Sequence, residues 1–94
     1  MINVALLGFG RIGQMHAQNI NQNKSLKLLY VYEKIDKLSK KAKKLYNCII
    51  ENNYKKIFSN KKVDIIFISS HTNKNIRYIE EGLKYNKTIL CEKP

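Results

Sequence analysis

The apolar residues of this chain form short runs that alternate with stretches of helical periodicity. Residues 2–7 are a continuous apolar-rich run that stops at a glycine, which is typical of a central parallel strand covered on both faces. The runs that predict strands are Ile2–Leu7, Leu26–Tyr32, 48–50, 63–69 and Thr88–Cys91. The segments that predict helices are 11–21, 35–46, a short one at 54–58, and 73–85.

Strands that alternate with helices require crossover connections, and these build a parallel sheet from right-handed βαβ units. We therefore predict an α/β fold with a doubly wound parallel sheet, incomplete at its carboxyl edge. The apolar residues also predict which face of each long helix is buried. These residues are Ile12, Met15, Ala17 and Ile20, then Leu38, Ala42 and Leu45, and finally Ile76, Ile79 and Leu83.

A glycine-rich turn follows the first predicted strand and opens the first predicted helix. The hexapeptide GFGRIG at residues 8–13 fits the pattern G-x-G-x-x-G in the context that dinucleotide binding requires. Gly8 permits the tight turn, Gly10 lets the backbone approach a pyrophosphate, and Gly13 lets the helix lie against the strand. The free N–H groups at the start of the helix would then face the phosphates. Alone the hexapeptide is a weak signal, since glycines also occur at ordinary strand-to-helix turns.

A second signal is the acidic residue at the end of the second predicted strand. Glu33 directly follows Leu26–Tyr32, where dinucleotide-binding domains carry the carboxylate that holds the adenosine ribose. A carboxylate there accepts hydrogen bonds from both ribose hydroxyls and repels a 2′-phosphate. NAD is therefore the favoured cofactor, while the neighbouring cation of Lys34 keeps NADP open. S-adenosylmethionine is the alternative ligand, but it has no pyrophosphate and less use for three glycines.

The formal charge of +11 raises the alternative of a nucleic-acid-binding protein. The excess is nearly all lysine, and the lysines of residues 37–44 lie opposite the apolar stripe of a predicted helix. The sequence shows no clustering of arginines and aromatic residues on one face. We therefore interpret the lysines as a solvated surface that helps attract an anionic cofactor, and expect no nucleic-acid partner.

Two further features concern the setting of the protein. No apolar run approaches the roughly 20 residues of a membrane span, and the first residues lack the basic segment of a signal peptide. Cys48 and Cys91 have no metal-binding spacing and make no disulfide framework. These observations favour free thiols in a reducing cytoplasm, with no membrane partner and no metal site.

Taken together, the motifs resemble the Gfo/Idh/MocA oxidoreductase family. They are the hexapeptide at 8–13, Glu33, the segment 63–70 and the terminal Glu92-Lys93-Pro94. The resemblance runs through all 94 residues but covers only the first part of a typical member. Residues 7–17 are most similar to the opening of members that act on inositol. The resemblance implies an NAD(P)-binding Rossmann domain over residues 1–94, with the substrate domain absent from this chain.

The resemblance also implies roles for individual residues. The cofactor diphosphate would be held by Gly8, Gly10, Arg11, Ile12 and Gly13. The nicotinamide side of the cofactor would be lined by Ser69, Ser70, Thr72, Asn73, Glu92 and Lys93. Glu33 would hold the adenosine ribose, and Lys93 would be the active-site lysine, directed by a cis bond to Pro94.

The chemistry of an amine agrees with the role implied for Lys93. Oxidising a secondary alcohol requires hydride removal at carbon and proton removal at oxygen. An ammonium group beside the substrate oxygen stabilises developing alkoxide and can relay the proton. The two histidines have no matching catalytic role, because His71 stands where family members commonly carry proline. His16 matches the family pattern, but packing or a helix hydrogen bond is expected of it rather than catalysis.

The function implied is hydride transfer between NAD and a secondary alcohol of a cyclic polyol or sugar, with myo-inositol favoured. The alternatives are another sugar dehydrogenase of the same family and a non-catalytic NAD-binding module. In the family, an aspartate and a histidine from a following substrate domain complete the catalytic set. We therefore expect this chain to be a fragment, poorly stable and inactive alone, of a protein that forms a homo-oligomer.

Overall fold

The computed structural model follows the predicted alternation of strands and helices. The structure describes residues 1–69 and 75–92. The strands are β1 (Ile2–Leu7), β2 (Leu26–Tyr32), β3 (Ile49–Ile50), β4 (Ile65–Ile68) and β5 (Thr88–Cys91). The helices are α1 (Arg11–Gln22), α2 (Asp36–Tyr46), α3 (Tyr54–Ser59) and α4 (Asn75–Lys84). None of the helices in these two ranges has the length and apolar content needed to cross a membrane.

The five strands form one parallel sheet in the order β3-β2-β1-β4-β5. The chain moves outward from β1 to β3 and then crosses back to place β4 on the other side of β1. The strand order thus reverses between β1 and β4, and open α/β sheets bind ligands at the carboxyl ends of the strands at such a point. The predicted doubly wound parallel sheet is confirmed.

Two apolar cores cover the two faces of the sheet. One core joins β1 and β2 to α1 and α2 through residues that include Leu6, Ala17 and Ala42. The other joins β1 and β4 to α3 and α4, and it includes Phe58 and Tyr78. Successive side chains of a strand point to opposite faces, so a strand buried on both sides must be apolar throughout. This explains the uninterrupted run from Val4 to Leu7, whose four side chains are shared alternately between the two cores.

Helix α4 is buried through a different face from the one predicted. Ile76 and Leu83 are 68% and 75% exposed and Ile79 is also exposed, so the predicted stripe was wrong. The buried residues of this helix are Tyr78 and Gly82. A side chain at Gly82 would collide with Ile89 of β5, so the missing side chain lets α4 lie close to the edge strand.

Tyr78 supplies the rest of the contact. Its ring lies 4.8 Å from the ring of Tyr54 and stacks on Phe58 at 6.5 Å, measured between centroids. Aromatic rings bury more surface than aliphatic side chains and gain from edge contacts, which favours this face of α4 over the isoleucine and leucine stripe.

Two other residues predicted for buried helix faces are exposed as well. Met15 on α1 and Leu45 on α2 both face solvent. Helix α1 packs through Gly13, Ala17 and Ile20, and α2 packs through Ser39 and Ala42. Small residues let a helix approach the sheet closely. The larger side chains then lie beside the contact surface and remain exposed.

The two cysteines differ in their surroundings. Cys48 is 3% exposed and belongs to the core beneath α1 and α2, whereas Cys91 is exposed at the end of β5. Burial raises the pKa of the Cys48 thiol, against the smaller opposing effects of a backbone hydrogen bond and the charge of Lys43. A thiol with a raised pKa stays protonated and unreactive.

We predict that an aromatic disulfide reagent at pH 8 modifies Cys91 quickly and Cys48 about a hundredfold more slowly, since Cys48 must first be exposed by opening of the core. The release of the chromophore measures both rates. A Cys91→Ser variant should retain only the slow phase, and a fast phase in that variant would contradict the burial of Cys48.

The raised pKa also makes stability depend on pH. Above the ordinary pKa of 9.0, the unfolded chain loses a thiol proton that the folded chain keeps. The free energy of unfolding should therefore fall as the pH rises through this value. Urea titrations of Cys48→Ala should show a smaller fall than those of the parent chain.

Candidate functional site

The turn after β1 lies where the strand order reverses. Gly8 adopts a positive φ of 102°, a conformation that favours glycine, and its N–H donates to the carbonyl of Tyr32 at 2.8 Å. The next residue, Phe9, is fully buried, and its ring meets that of Tyr46 edge-on at 6.2 Å between centroids. The turn is therefore anchored both to β2 and to the core beneath α2.

Gly13 brings α1 into direct contact with this turn. A side chain there would collide with the carbonyl oxygen of Gly8 and would lie 2.8 Å from the hydroxyl oxygen of Ser69. That hydroxyl group donates to the carbonyl of Gly8 at 2.7 Å and lies 3.1 Å from the carbonyl oxygen of Leu7. Ser69 is 6% exposed and so braces the turn from the end of β4.

Gly10 faces open space instead. Apart from its two chain neighbours, no atom of residues 1–69 and 75–92 lies within 4 Å of the position that its side chain would take. Gly10 is also the N-cap of α1, and as a glycine it makes no side-chain cap hydrogen bond to the first turn of the helix. The first helical hydrogen bond runs from the N–H of Gln14 to the carbonyl of Gly10 at 2.8 Å. The start of α1 thus presents backbone donors and a positive dipole end to a space that a diphosphate could fill.

The side chain of Gln14 links this helix to its surroundings. Its amide nitrogen donates to the carbonyl of Phe9 at 3.2 Å, and its amide oxygen accepts from the ammonium group of Lys41 at 2.8 Å. A lysine of α2 is thereby held beside the turn, where its charge adds to the attraction of an anion.

Glu33 lies at the end of β2 and is bound at both carboxylate oxygens. Oε1 accepts from the N–H of Phe9 at 2.7 Å, and Oε2 accepts from the N–H of Ile35 at 3.0 Å. A carboxylate oxygen can accept two hydrogen bonds, and each oxygen of Glu33 accepts one here, so both can accept another from a ligand hydroxyl. The two bonds fix the carboxylate at the edge of the turn.

Glu92 lies at the end of β5, on the other side of the reversal point. Its Oε2 is 2.7 Å from Nε2 of His16, and its N–H donates to the carbonyl of Ile68 at 2.9 Å. The His16 ring packs against Phe67 of β4, with 4.2 Å between centroids. The expectation that His16 packs is therefore confirmed, whereas its hydrogen bond is not to a helix but to Glu92 at the end of β5, 76 residues away.

The structure brings together the described members of the predicted site. The hexapeptide at 8–13, Glu33, Ser69 and Glu92 all lie at the carboxyl ends of β1, β2, β4 and β5. The site residues that fall outside the described residues are Ser70, Thr72, Asn73 and Lys93. His71 and the bond to Pro94 also lie outside them. The lining of the nicotinamide by Ser69 and Glu92 stays a prediction, because the contacts seen here are with the turn and with His16.

Sequence reasoning missed three contacts of this site. It did not foresee that Phe9 is a core residue, that Glu33 accepts from Phe9, or that His16 pairs with Glu92. The apolar residue inside the hexapeptide is the one available signal for the first contact. The partners of the other two are 24 and 76 residues apart, and no local pattern connects them.

A doubly wound parallel sheet with an open glycine turn at the reversal point and a carboxylate after β2 defines a dinucleotide-binding domain of Rossmann type. Residues 2–94 match the family described as an oxidoreductase family with an NAD-binding Rossmann fold. The chain belongs to this family, Gfo/Idh/MocA, and is an NAD-binding domain.

Known proteins similar to this chain are oxidoreductases. An uncharacterized oxidoreductase of Bacillus subtilis, YrbE, is 30% identical over 94 residues, which are 99% of this chain and 28% of the relative. Inositol 2-dehydrogenase of Rhizobium meliloti is 28% identical over 93 residues, with the same coverage. The structure of scyllo-inositol dehydrogenase from Lactobacillus casei with bound NAD(H) and scyllo-inositol has a TM-score of 0.90 and 26% identity, covering all of this chain and 28% of that one. The chain thus spans 28% of the length of these relatives.

Gly10 at the N-cap of α1 and Gly13 within it give a matched pair of variants. We predict that Gly13→Ala lowers the free energy of unfolding by about 1–3 kcal/mol, because the added methyl group meets a backbone carbonyl that cannot easily move. Gly10→Ala should change it by less than about 0.5 kcal/mol, since open space surrounds the added methyl group. Urea titration measures both effects.

For cofactor binding we expect the reverse order, with the larger effect in Gly10→Ala. Gly10→Ala should weaken NAD binding by about tenfold or more, because the methyl group occupies the space next to the helix start. Isothermal titration of the folded variant gives the dissociation constant. An unchanged dissociation constant in Gly10→Ala would show that the diphosphate does not bind next to Gly10.

Proposed function

We propose that this chain is the cofactor-binding part of an enzyme that transfers hydride between NAD and a secondary alcohol of a cyclic polyol or sugar, with myo-inositol the favoured substrate. The observation that carries the proposal is the open space beside Gly10, the N-cap of α1 without a side chain, with the anchored carboxylate of Glu33 at its flank. Relatives named as inositol dehydrogenases, at 26% and 28% identity, support the substrate class.

NAD is the preferred cofactor in this proposal, ahead of NADP. The carboxylate of Glu33 is tied to two backbone N–H groups and cannot turn away without breaking both bonds. A 2′-phosphate would therefore meet a fixed negative charge, whereas two ribose hydroxyls would meet acceptors. Lys34, the next residue, offers a cation that could offset part of this repulsion.

Bound NAD would supply the hydride acceptor, and this chain would supply binding, orientation and proton handling. The backbone N–H groups of residues 11–13 would hold the diphosphate, together with the exposed side chain of Arg11. The ammonium group of Lys93 would lie beside the substrate oxygen, stabilise its developing negative charge and move its proton. Ser69, Ser70, Thr72 and Asn73 would border the nicotinamide side.

Two alternatives share most of this site. Another sugar dehydrogenase of the same family would use the same residues of this chain with a different substrate. A non-catalytic NAD-binding module would need the hexapeptide and Glu33 but would not need Lys93. The test is to express the longest reading frame that encodes these residues and follow NADH formation with a panel of inositols and sugars. NAD binding without oxidation of any of them would favour the module, and the absence of NAD binding would end the proposal.

The role of Glu33 can be tested with two variants that separate charge from turn geometry. We predict that Glu33→Gln lowers the ratio of the NADP to the NAD dissociation constant by about tenfold, because the charge is lost while one acceptor for Phe9 remains. Glu33→Ala should lower the same ratio and also weaken the binding of both cofactors. The exposed Glu80→Gln on α4 controls for net charge, and an equal ratio in all three variants would exclude Glu33 from the ribose site.

The role of Lys93 needs the protein made from that longest reading frame. We predict that Lys93→Met lowers kcat by about a hundredfold or more through loss of proton transfer and of charge stabilisation. The NAD dissociation constant should change by less than about threefold, since the diphosphate and ribose contacts remain. Lys56→Met, at an exposed lysine of α3, is the matched control. Lost NAD binding with unchanged turnover per bound cofactor would contradict the assignment.

A further inference from the structure

We propose that His16 is a positioning residue, which holds Glu92, the residue immediately before the catalytic lysine in the sequence, against the helix that binds the cofactor diphosphate. This role rests on the proposed function, because it takes from it the part played by Lys93. Its structural basis is the pairing of His16 on α1 with Glu92 at the end of β5.

The pairing joins two elements that are far apart in the sequence. The residues are 76 positions apart, yet Nε2 of His16 and Oε2 of Glu92 are separated by 2.7 Å. A protonated Nε2 is a donor and carboxylate oxygens are acceptors, so the pair forms a hydrogen bond in the tautomer that carries the proton on Nε2. The side chains are 18% and 32% exposed, which shields the bond from water more than a fully exposed ion pair would be.

Phe67 sets the direction in which His16 points. The two rings lie 4.2 Å apart between centroids and are tilted by 37°. Phe67 stands on β4 between β1 and β5, and it pairs with Leu90 of β5. The imidazole thus packs on the sheet close to the end of β5. Its rotation would break the ring contact as well as the hydrogen bond.

Glu92 is held a second time through its backbone. Its N–H donates to the carbonyl of Ile68 at 2.9 Å, which continues the pairing of β4 with β5 by one residue. β5 is the edge strand of the described sheet, so only β4 pairs with it there. The side-chain bond to His16 therefore adds an anchor from a helix at the place where the edge strand ends, immediately before Lys93.

The helix that supplies this anchor is the one that begins at the diphosphate site. His16 lies three residues after Gly13, whose contact with the Gly8 carbonyl fixes the position of α1. A rigid helix carries that fixed position to His16 and then to Glu92. The distance between the cofactor turn and Glu92 is thereby set by α1 and by the hydrogen bond between His16 and Glu92.

Amide hydrogen exchange tests the anchor without cofactor or turnover. We expect His16→Ala to speed exchange of the Glu92 N–H by about tenfold or more, because loss of a bond to a charged group frees the end of β5. His16→Gln, whose amide can donate to the same carboxylate, should keep most of the protection. Gln18→Ala, at an exposed site on the same helix, should match the parent chain. Equal exchange in the parent and His16→Ala would overturn the proposal, as would equal acceleration in both His16 variants, which would assign the effect to ring packing.

Steady-state kinetics test the consequence in the protein made from the longest reading frame. His16→Ala should lower kcat by between about tenfold and a hundredfold, as expected when a reacting group is misplaced by a small distance. The NAD dissociation constant should change by less than about threefold, and His16→Gln should recover most of kcat. An unchanged kcat in His16→Ala would overturn the positioning role. A parent protein that binds NAD but oxidises no alcohol would overturn the proposed function, while the exchange experiment would still decide whether His16 anchors Glu92.

Discussion

The contact between Gly13 and the carbonyl of Gly8 is the constraint on which the rest of the site depends. Helix α1 begins so close to β1 that the carbonyl oxygen occupies the space of any side chain at Gly13. In this position the start of the helix lies beside the open space at Gly10, where the N–H groups of the first helical turn have no partner within the helix. The hydroxyl group of Ser69 then fits between the helix and the turn and satisfies the same carbonyl. A larger residue at Gly13 would displace the helix start and the end of β4 together.

Most of the fold could be predicted from the sequence because its central strand is unambiguous. A short run that is apolar at every position and ends at a glycine, such as Val4 to Leu7, is typical of a strand covered on both faces, and the alternating elements then require crossover connections. The buried face of α4 could not be predicted in the same way. The helix offers two apolar stripes, and the one that is used depends on the rings of Tyr54 and Phe58 and on the gap at Gly82. Those partners come together only in the folded protein.

The candidate site shows the same division between local and distant information. The positions of the glycines and of Glu33 follow from local patterns, since a turn after one strand and an acid after the next are spaced along the chain. The bond from Phe9 to Glu33 depends on the register between β1 and β2, which places Leu7 opposite Tyr32. The bond from His16 to Glu92 depends on the packing of His16 against Phe67 of β4, the strand that pairs with β5. The pattern of residue types along the chain predicts neither the strand register nor the packing on which these two bonds depend.

Three of the side-chain hydrogen bonds at the described edges of the site are long-range. They join Phe9 to Glu33, Ser69 to Gly8 and His16 to Glu92, across 24, 61 and 76 residues. The closing of such long loops costs conformational entropy that is recovered only when the sheet and both cores are formed. The site therefore has no independent local stability. Its geometry is kept only as long as β1 stays paired with its neighbouring strands. In return, the carboxylates of Glu33 and Glu92 are already oriented before a ligand arrives, so binding does not have to order them.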